Sequence, residues 1–197
     1  MTQAIAVQRP VEPAPFPNRP SMLGVGTVIW LGSELMFFSG LFAAYYTIRA
    51  HAQVWPPLGD HLDVAQAAAF TLLLVMSSVT MQKAVYEEEH DRRRSARWWL
   101  ILTFVMGASF VLSQAVEWTT VNFSTSTDAF GSLFYVMSGI HGLHVIIGLV
   151  AMIGILGRMV GPSGDPGERT AFQAVSYYWH FVDVVWVGLY CSIFLVH

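Results

Sequence analysis

Five ionisable side chains stand in stretches that are otherwise almost free of charge: Glu34, His141, His144, His180 and Asp183. Three chemistries are open to such a set. Carboxyls and imidazoles can hold or pass protons, they can bind a lipid headgroup, or they can ligate a metal ion. The spacing pairs them, because His141 and His144 lie three residues apart, as do His180 and Asp183, and i,i+3 residues share a helix face. The bland alternative is that the histidines are polar glue between packed helices. That alternative fits the histidines better than Glu34, whose depth is hard to justify by packing alone. Glu34 is therefore expected to be protonated or hydrogen-bonded.

A metal centre is the weakest of the three. A di-metal carboxylate bundle needs several inward glutamates together with Glu-x-x-His pairs. The only such pair is Glu87/His90, inside the charged run 87–94, which reads as a solvated loop or helix end. Haem ligation by one histidine is left open by spacing alone. A single cysteine, Cys191, excludes an intrachain disulfide framework and an all-cysteine zinc site. There is no glycine-rich phosphate loop and no nucleophile elbow. No catalytic, cofactor-binding or metal-ligating residue is assigned.

The elements that must position these side chains follow from composition. Of 197 residues, 54% are hydrophobic and 12% charged, with a mean hydropathy of +0.51. A soluble domain carries about 25% charged residues, so a wet surface is undersupplied. A net charge of −3 gives no reason to expect nucleic acid. A spanning helix needs about 20 apolar residues, and five stretches qualify: about 24–48, 64–85, 98–118, 129–157 and 171–196. The fold class expected is all-α, a polytopic membrane bundle of five transmembrane helices. The nine prolines all fall outside these spans, as uninterrupted helices require. Five of them lie in residues 1–21, read as a mobile, proline-rich cytoplasmic tail preceding a transmembrane domain over 22–197. The first span is expected to serve as an uncleaved insertion signal.

At 1.5 Å per residue, Glu34 lies roughly 15 Å deep, His180 roughly 14 Å, Asp183 roughly 18 Å and His144 roughly 20 Å. All belong to one band near the midplane. The fourth and fifth helices are expected to carry this layer as a pair. Asp183 should then find its donor in a histidine of the fourth helix, in Trp179 or Trp186, or in a headgroup. Ser39/Ala43, Gly40/Ala44 and Ser138/Gly142 follow a small-xxx-small pattern that would allow close helix approach. Trp55, Trp98, Trp99 and Trp118 mark helix ends, as an aromatic belt does. Trp179 and Trp186 sit deeper and read as packing.

Basic residues set the orientation. Nine of ten fall in the tail, the second connection or the fourth connection; only Arg49 lies at the other end. The N-terminus is therefore expected in the cytoplasm and the C-terminus outside. The charges by themselves leave a proton- or ion-conducting membrane protein open, and also a metal-binding redox membrane enzyme.

Two segments are more specific: Gly139-Ile-His-Gly-Leu-His-Val-Ile-Ile-Gly148 and Tyr177-Tyr-Trp-His-Phe-Val-Asp-Val-Val-Trp186. Both resemble signature segments of subunit III of haem-copper cytochrome c oxidase. Ser33-Glu-Leu-Met-Phe-Phe38 resembles the stretch around that family's membrane-embedded glutamate. Trp55-Pro-Pro57 resembles the loop that follows, and Gln114-Ala115 with Glu117 resembles a fourth segment. The resemblance runs in order from about Gly24 to the end. Many members have seven helices, whereas this chain has five, the first corresponding to the family's third. In the longer members the two extra helices form one wall of a cleft that holds phospholipids.

The resemblance implies a non-catalytic integral subunit of an aerobic respiratory oxidase. Such a subunit supports proton uptake and stability of the catalytic subunit while oxygen is reduced to water. It implies no cofactor in this chain, with haem and copper held by partner subunits, and phospholipid as an allowed ligand. The implied partners are oxidase subunits I and II and membrane lipids. Cytochrome c would be donor to the complex and not to this chain, and a respiratory supercomplex is within what the family allows. Nine arginines against one lysine suggest a GC-rich bacterial genome, hence a bacterial plasma membrane. Glu34, His141, His144, His180 and Asp183 are read as proton-relevant or lipid-contacting.

Overall fold

A computed structural model of the chain describes residues 22–55, 63–126, 128–160 and 166–196. The proline-rich tail expected over 1–21 and the Pro56–Pro57 loop lie outside the described residues. Five helices long and apolar enough to cross a membrane account for nearly everything described. They are α1 (Met22–His51), α2 (Val64–Glu89), α3 (Arg93–Thr120), α4 (Ala129–Arg158) and α5 (Pro166–Tyr190). Alpha-helical hydrogen bonding loosens to a π-turn over Cys191–Leu195 at the end of α5. There is no strand among the described residues. The helices overrun the apolar stretches, most at the starts of α3 and α5. Arg93, Arg94, Glu168 and Arg169 tolerate helix well, so the chain stays helical beyond the hydrophobic part. Pro166 takes the first helical position, where a missing N–H costs nothing.

Aspartates cap two of the helices. Asp63 accepts from the Gln66 amide at 2.9 Å and Asp128 from the Gly131 amide at 2.7 Å, starting α2 and α4 at the same end. At the arginine-rich end, α2 turns into α3 through His90, Asp91 and Arg92. The Asp91 amide bonds Glu88 O (3.1 Å) and the Arg92 amide bonds Glu87 O (2.9 Å). That is a Schellman closure. Asp91 stands at φ 59°, a position glycine normally fills and aspartate tolerates.

Helix α5 is the hub: it packs against α1, α2 and α4, while α3 closes the ring between α2 and α4. Trp179 sets how closely these helices pack. A Cβ at Gly107 of α3 would lie 2.5 Å from its Cη2, and one at Gly148 of α4 would lie 2.9 Å from its Cε3. The two glycines therefore form a slot for a fully buried indole. The expected small-residue seams are elsewhere and do not serve this purpose. Gly40 and Gly142 meet nothing within 4 Å, and Ser138 instead accepts from Trp118 Nε1 at 3.2 Å. Helix α1 is the outlier, because only Phe38 and Tyr45 of its 30 residues are buried. Its far end is tied down by Tyr45, whose hydroxyl donates to Ser192 O (2.8 Å), and by Trp55, whose indole donates to that hydroxyl (3.0 Å).

Candidate functional site

The five polar side chains are grouped differently from the sequence expectation. Glu34 of α1 meets His144 of α4, with Oε2 3.2 Å from Nε2. His144 Nδ1 lies 2.8 Å from Ile140 O, one turn back on its own helix. A carbonyl only accepts, so Nδ1 carries a hydrogen. Nε2 then faces Glu34 either as the bare acceptor of a carboxylic acid proton or as the donor of an imidazolium to a carboxylate. Both arrangements hold one proton between the two groups. The Tyr178 hydroxyl of α5 donates to His144 O at 2.8 Å, and Trp30 of α1 stacks on Tyr178 at 5.3 Å. The pair is thus framed by three helices, with side-chain exposures of 23% for Glu34 and 12% for His144.

The second group lies between α2 and α5. Ser78 Oγ donates to Asp183 Oδ2 and lies 2.9 Å from His180 Nδ1. His180 Nε2 reaches Gln82 Oε1 at 3.3 Å. Asp183 is 5% exposed, and its second oxygen, Oδ1, is buried without a hydrogen-bond partner. Its donor is therefore neither a histidine of α4 nor a tryptophan of α5. The two tryptophans also turn toward α2: Trp179 donates to Ser77 Oγ and Trp186 to Thr71 Oγ1, each at 2.9 Å. The polar layer of α5 is stitched to α2, while that of α4 is stitched to α1. The physical reason is rotational. Tyr178 and the broad face of Trp179 occupy the α4 side of α5, which leaves His180 and Asp183 facing α2.

His141 belongs to neither group. It is 1% exposed and boxed by the rings of Phe38, Phe110 and Trp186, with centroids 6.5, 6.1 and 5.0 Å away. Neither ring nitrogen has a hydrogen-bond partner. So His141 and His144 share a helix and the Phe38 ring, but only His144 is hydrogen-bonded.

The charged run at the end of α2 is more ordered than a solvated loop. Glu87 and Glu88 are buried. Glu87 is held by Lys83 (3.0 Å) and Arg92 (2.9 Å), and Arg93 crosses to Glu168 of α5 at 2.5 Å. Arg169 pairs with Asp91, and the Arg97 guanidinium donates to Met159 O. These contacts lock α2, α3, α4 and α5 together at one end. Glu87/His90 is not a ligand pair: His90 Nδ1 bonds Tyr86 O at 2.8 Å, while Glu87 faces cations. No group of three His, Cys, Asp or Glu side chains able to hold a metal ion occurs among the described residues.

Sequence reasoning missed the α2 partners: Thr71, Ser77, Ser78 and Gln82. A faint signal existed, since Ser78 and Gln82 lie one turn apart in an uncharged span. Serine and threonine are common in spans, so their presence alone does not single out a partner.

Comparison with known proteins matches these segments to a family. A family model described as cytochrome c oxidase subunit III matches residues 19–196. A protein of Mycobacterium bovis named as a probable cytochrome c oxidase subunit 3 is 46% identical over 183 residues, covering 91% of this chain and 90% of its own length. A protein of Nocardia farcinica with the same printed name gives the same identity and coverage. A cytochrome c oxidase subunit 3 of Corynebacterium diphtheriae is 40% identical over 185 residues, again 91% and 90% of the two chains. With five membrane-length helices and a match over nearly its whole length, the chain belongs to the cytochrome c oxidase subunit III family.

Proposed function

We propose that this chain is a support subunit of an aerobic respiratory oxidase: it does no redox chemistry itself and sustains the catalytic subunit's proton uptake and stability while oxygen is reduced to water. The observation that carries the proposal is the surface of α1. A 30-residue spanning helix with two buried residues is not built to complete a core of its own. It offers a membrane-depth face to lipid and to neighbouring subunits, of which the oxidase subunits I and II are the partners proposed.

The chemistry of the band supports the same reading. Haem or copper would need free imidazole nitrogens facing open space. His144 spends one nitrogen on Ile140 O and the other on Glu34. His180 spends its two on Ser78 and Gln82. His141 has both free, but three aromatic rings enclose it. The residues present do not fit a resident haem or copper, and we place those groups in the partner subunits. Cytochrome c donates electrons to the complex elsewhere. Among the described residues, seven of the eight lysines and arginines gather at the arginine-rich end, all but Arg49, which supports a cytoplasmic N-terminus and an outward C-terminus in a bacterial plasma membrane.

The test is depletion. Oxidase stripped of this chain should keep its haem spectrum and begin reducing oxygen, then lose activity over successive turnovers faster than the intact complex. Immediate loss of oxygen reduction with haem retained would contradict a support role, as would an unchanged lifetime.

A further inference from the structure

The seam between α2 and α5 holds a hydrogen-bonded chain that begins at the helix surface and ends in the interior. Gln82 is exposed, His180 and Ser78 are half-buried, and Asp183 is buried. Ser78 has one hydroxyl hydrogen and stands between two groups that could take it, Asp183 Oδ2 and His180 Nδ1. Gln82 Oε1 can only accept, so His180 Nε2, 3.3 Å away, carries a hydrogen.

With that hydrogen fixed, two arrangements satisfy every contact. In one, an imidazolium donates Nδ1–H to Ser78 Oγ, and the serine donates to an Asp183 carboxylate. In the other, Asp183 carries the proton and donates to Ser78 Oγ, and the serine donates to a neutral imidazole. The two hold the same number of protons. They interconvert when the Nδ1 hydrogen moves to Ser78 while the serine hydrogen moves to Asp183. Uptake also balances: a proton delivered to the exposed edge of the seam reaches neutral His180 at Nε2, and the double shift leaves Asp183 protonated and His180 neutral again. While Nε2 is bare, the Gln82 amide turns its NH2 group to it.

We propose that His180, Ser78 and Asp183 form a proton-binding relay, loaded at the surface beside Gln82 and ending on Asp183. The unpartnered, buried Asp183 Oδ1 is the second observation, because the chain stops at a carboxyl with unused capacity. This goes beyond the support role, since it gives the chain a proton site of its own. Titratable groups on the neighbouring helices are engaged elsewhere. Glu34 of α1 and His144 of α4 pair with each other, and Tyr45 and Tyr46 of α1 bond Ser192. His141 of α4 is boxed by rings. Lys83 of α2 pairs with Glu87, and Tyr178 of α5 is bonded to His144 O.

Infrared spectroscopy of the assembled oxidase after a drop in pH tests the relay. A carbonyl band of a protonated carboxylic acid should rise in the wild type and be missing from Asp183→Asn. Ser78→Ala should slow its rise by about 100-fold, the contribution of a positioned proton-transfer group, and Ser78→Thr should restore it. If Ser78→Ala fails to assemble, Gln82→Leu removes the entrance group while leaving the relay intact, and its band should also rise slowly. The proposal is overturned if no band depends on Asp183 at any pH. It is equally overturned if the band rises at the wild-type rate in Ser78→Ala or, in its place, in Gln82→Leu.

Discussion

His144 and Glu34 meet across α4 and α1, Nε2 to Oε2 at 3.2 Å, while the other ring nitrogen of His144 is fixed on Ile140 O. This contact joins the outlying first helix to the body of the bundle at membrane depth. The geometry is satisfied by a shared proton on either side of the contact. Glu34→Gln supplies an amide N–H to a neutral Nε2, so the complex should assemble and reduce oxygen with at most a moderate loss. Glu34→Ala leaves Nε2 unpaired and should cost roughly 1–3 kcal/mol of stability. Thermal unfolding and oxygen uptake of the purified complex measure both. Abolished oxygen reduction in an assembled Glu34→Gln complex would make the carboxyl an obligatory proton carrier.

The glycine slot around Trp179 predicts a strong positional contrast. Gly148→Ala puts a methyl 2.9 Å from a fully buried ring, and Gly107→Ala puts one at 2.5 Å. Overpacking of this kind costs roughly 1–3 kcal/mol. Gly154→Ala of α4 meets nothing within 4 Å and should leave the chain's own stability unchanged. Thermal melts of the three variants in detergent check the order.

A double-mutant cycle tests the division of the polar layer. Asp183 and His144 belong to separate networks, so Asp183→Asn and His144→Asn should add within about 0.5 kcal/mol. Asp183→Asn and Ser78→Ala act on one contact and should couple by roughly 0.5–3 kcal/mol. Coupling in the first cycle and additivity in the second would mean that α5 addresses α4 and not α2.

The five spans and the identity of the polar residues were legible in the sequence. Each depends on local rules: hydrophobic length, and a charge where charge is expensive. What was not legible was which helix each residue faces. Asp183 looked like a partner for α4 because α4 and α5 are joined by a short connection and carry their histidines at similar depth. The choice is made by Trp179, whose bulk is admitted by Gly107 and Gly148, and nothing local to Asp183 records that slot. The charged run is the helix end it was read as, but the burial within it was not legible, for a related reason. Glu87 and Glu88 are polar by type but buried by partners such as Arg92, and by neighbours that arrive only when α5 packs against α2.

The arginine-rich end should behave as a clamp between helices. Glu168 is buried against Arg93, 75 residues earlier in the chain. Glu168→Gln keeps the shape but removes the charge, and should lower stability by roughly 1–3 kcal/mol. Arg93→Lys loses the planar fork and should fall between the wild type and Glu168→Gln. Thermal melts at low and high salt check this, with the buried contact resisting screening more than the exposed Arg169–Asp91 pair.

The central claim, a support subunit with no redox centre of its own, is tested most directly by separating this chain from a purified oxidase in mild detergent and recording visible spectra and metal content of both fractions. The account predicts a colourless chain and a remaining complex that retains all haem and copper. Haem or copper staying with the isolated chain at near-unit stoichiometry would contradict it.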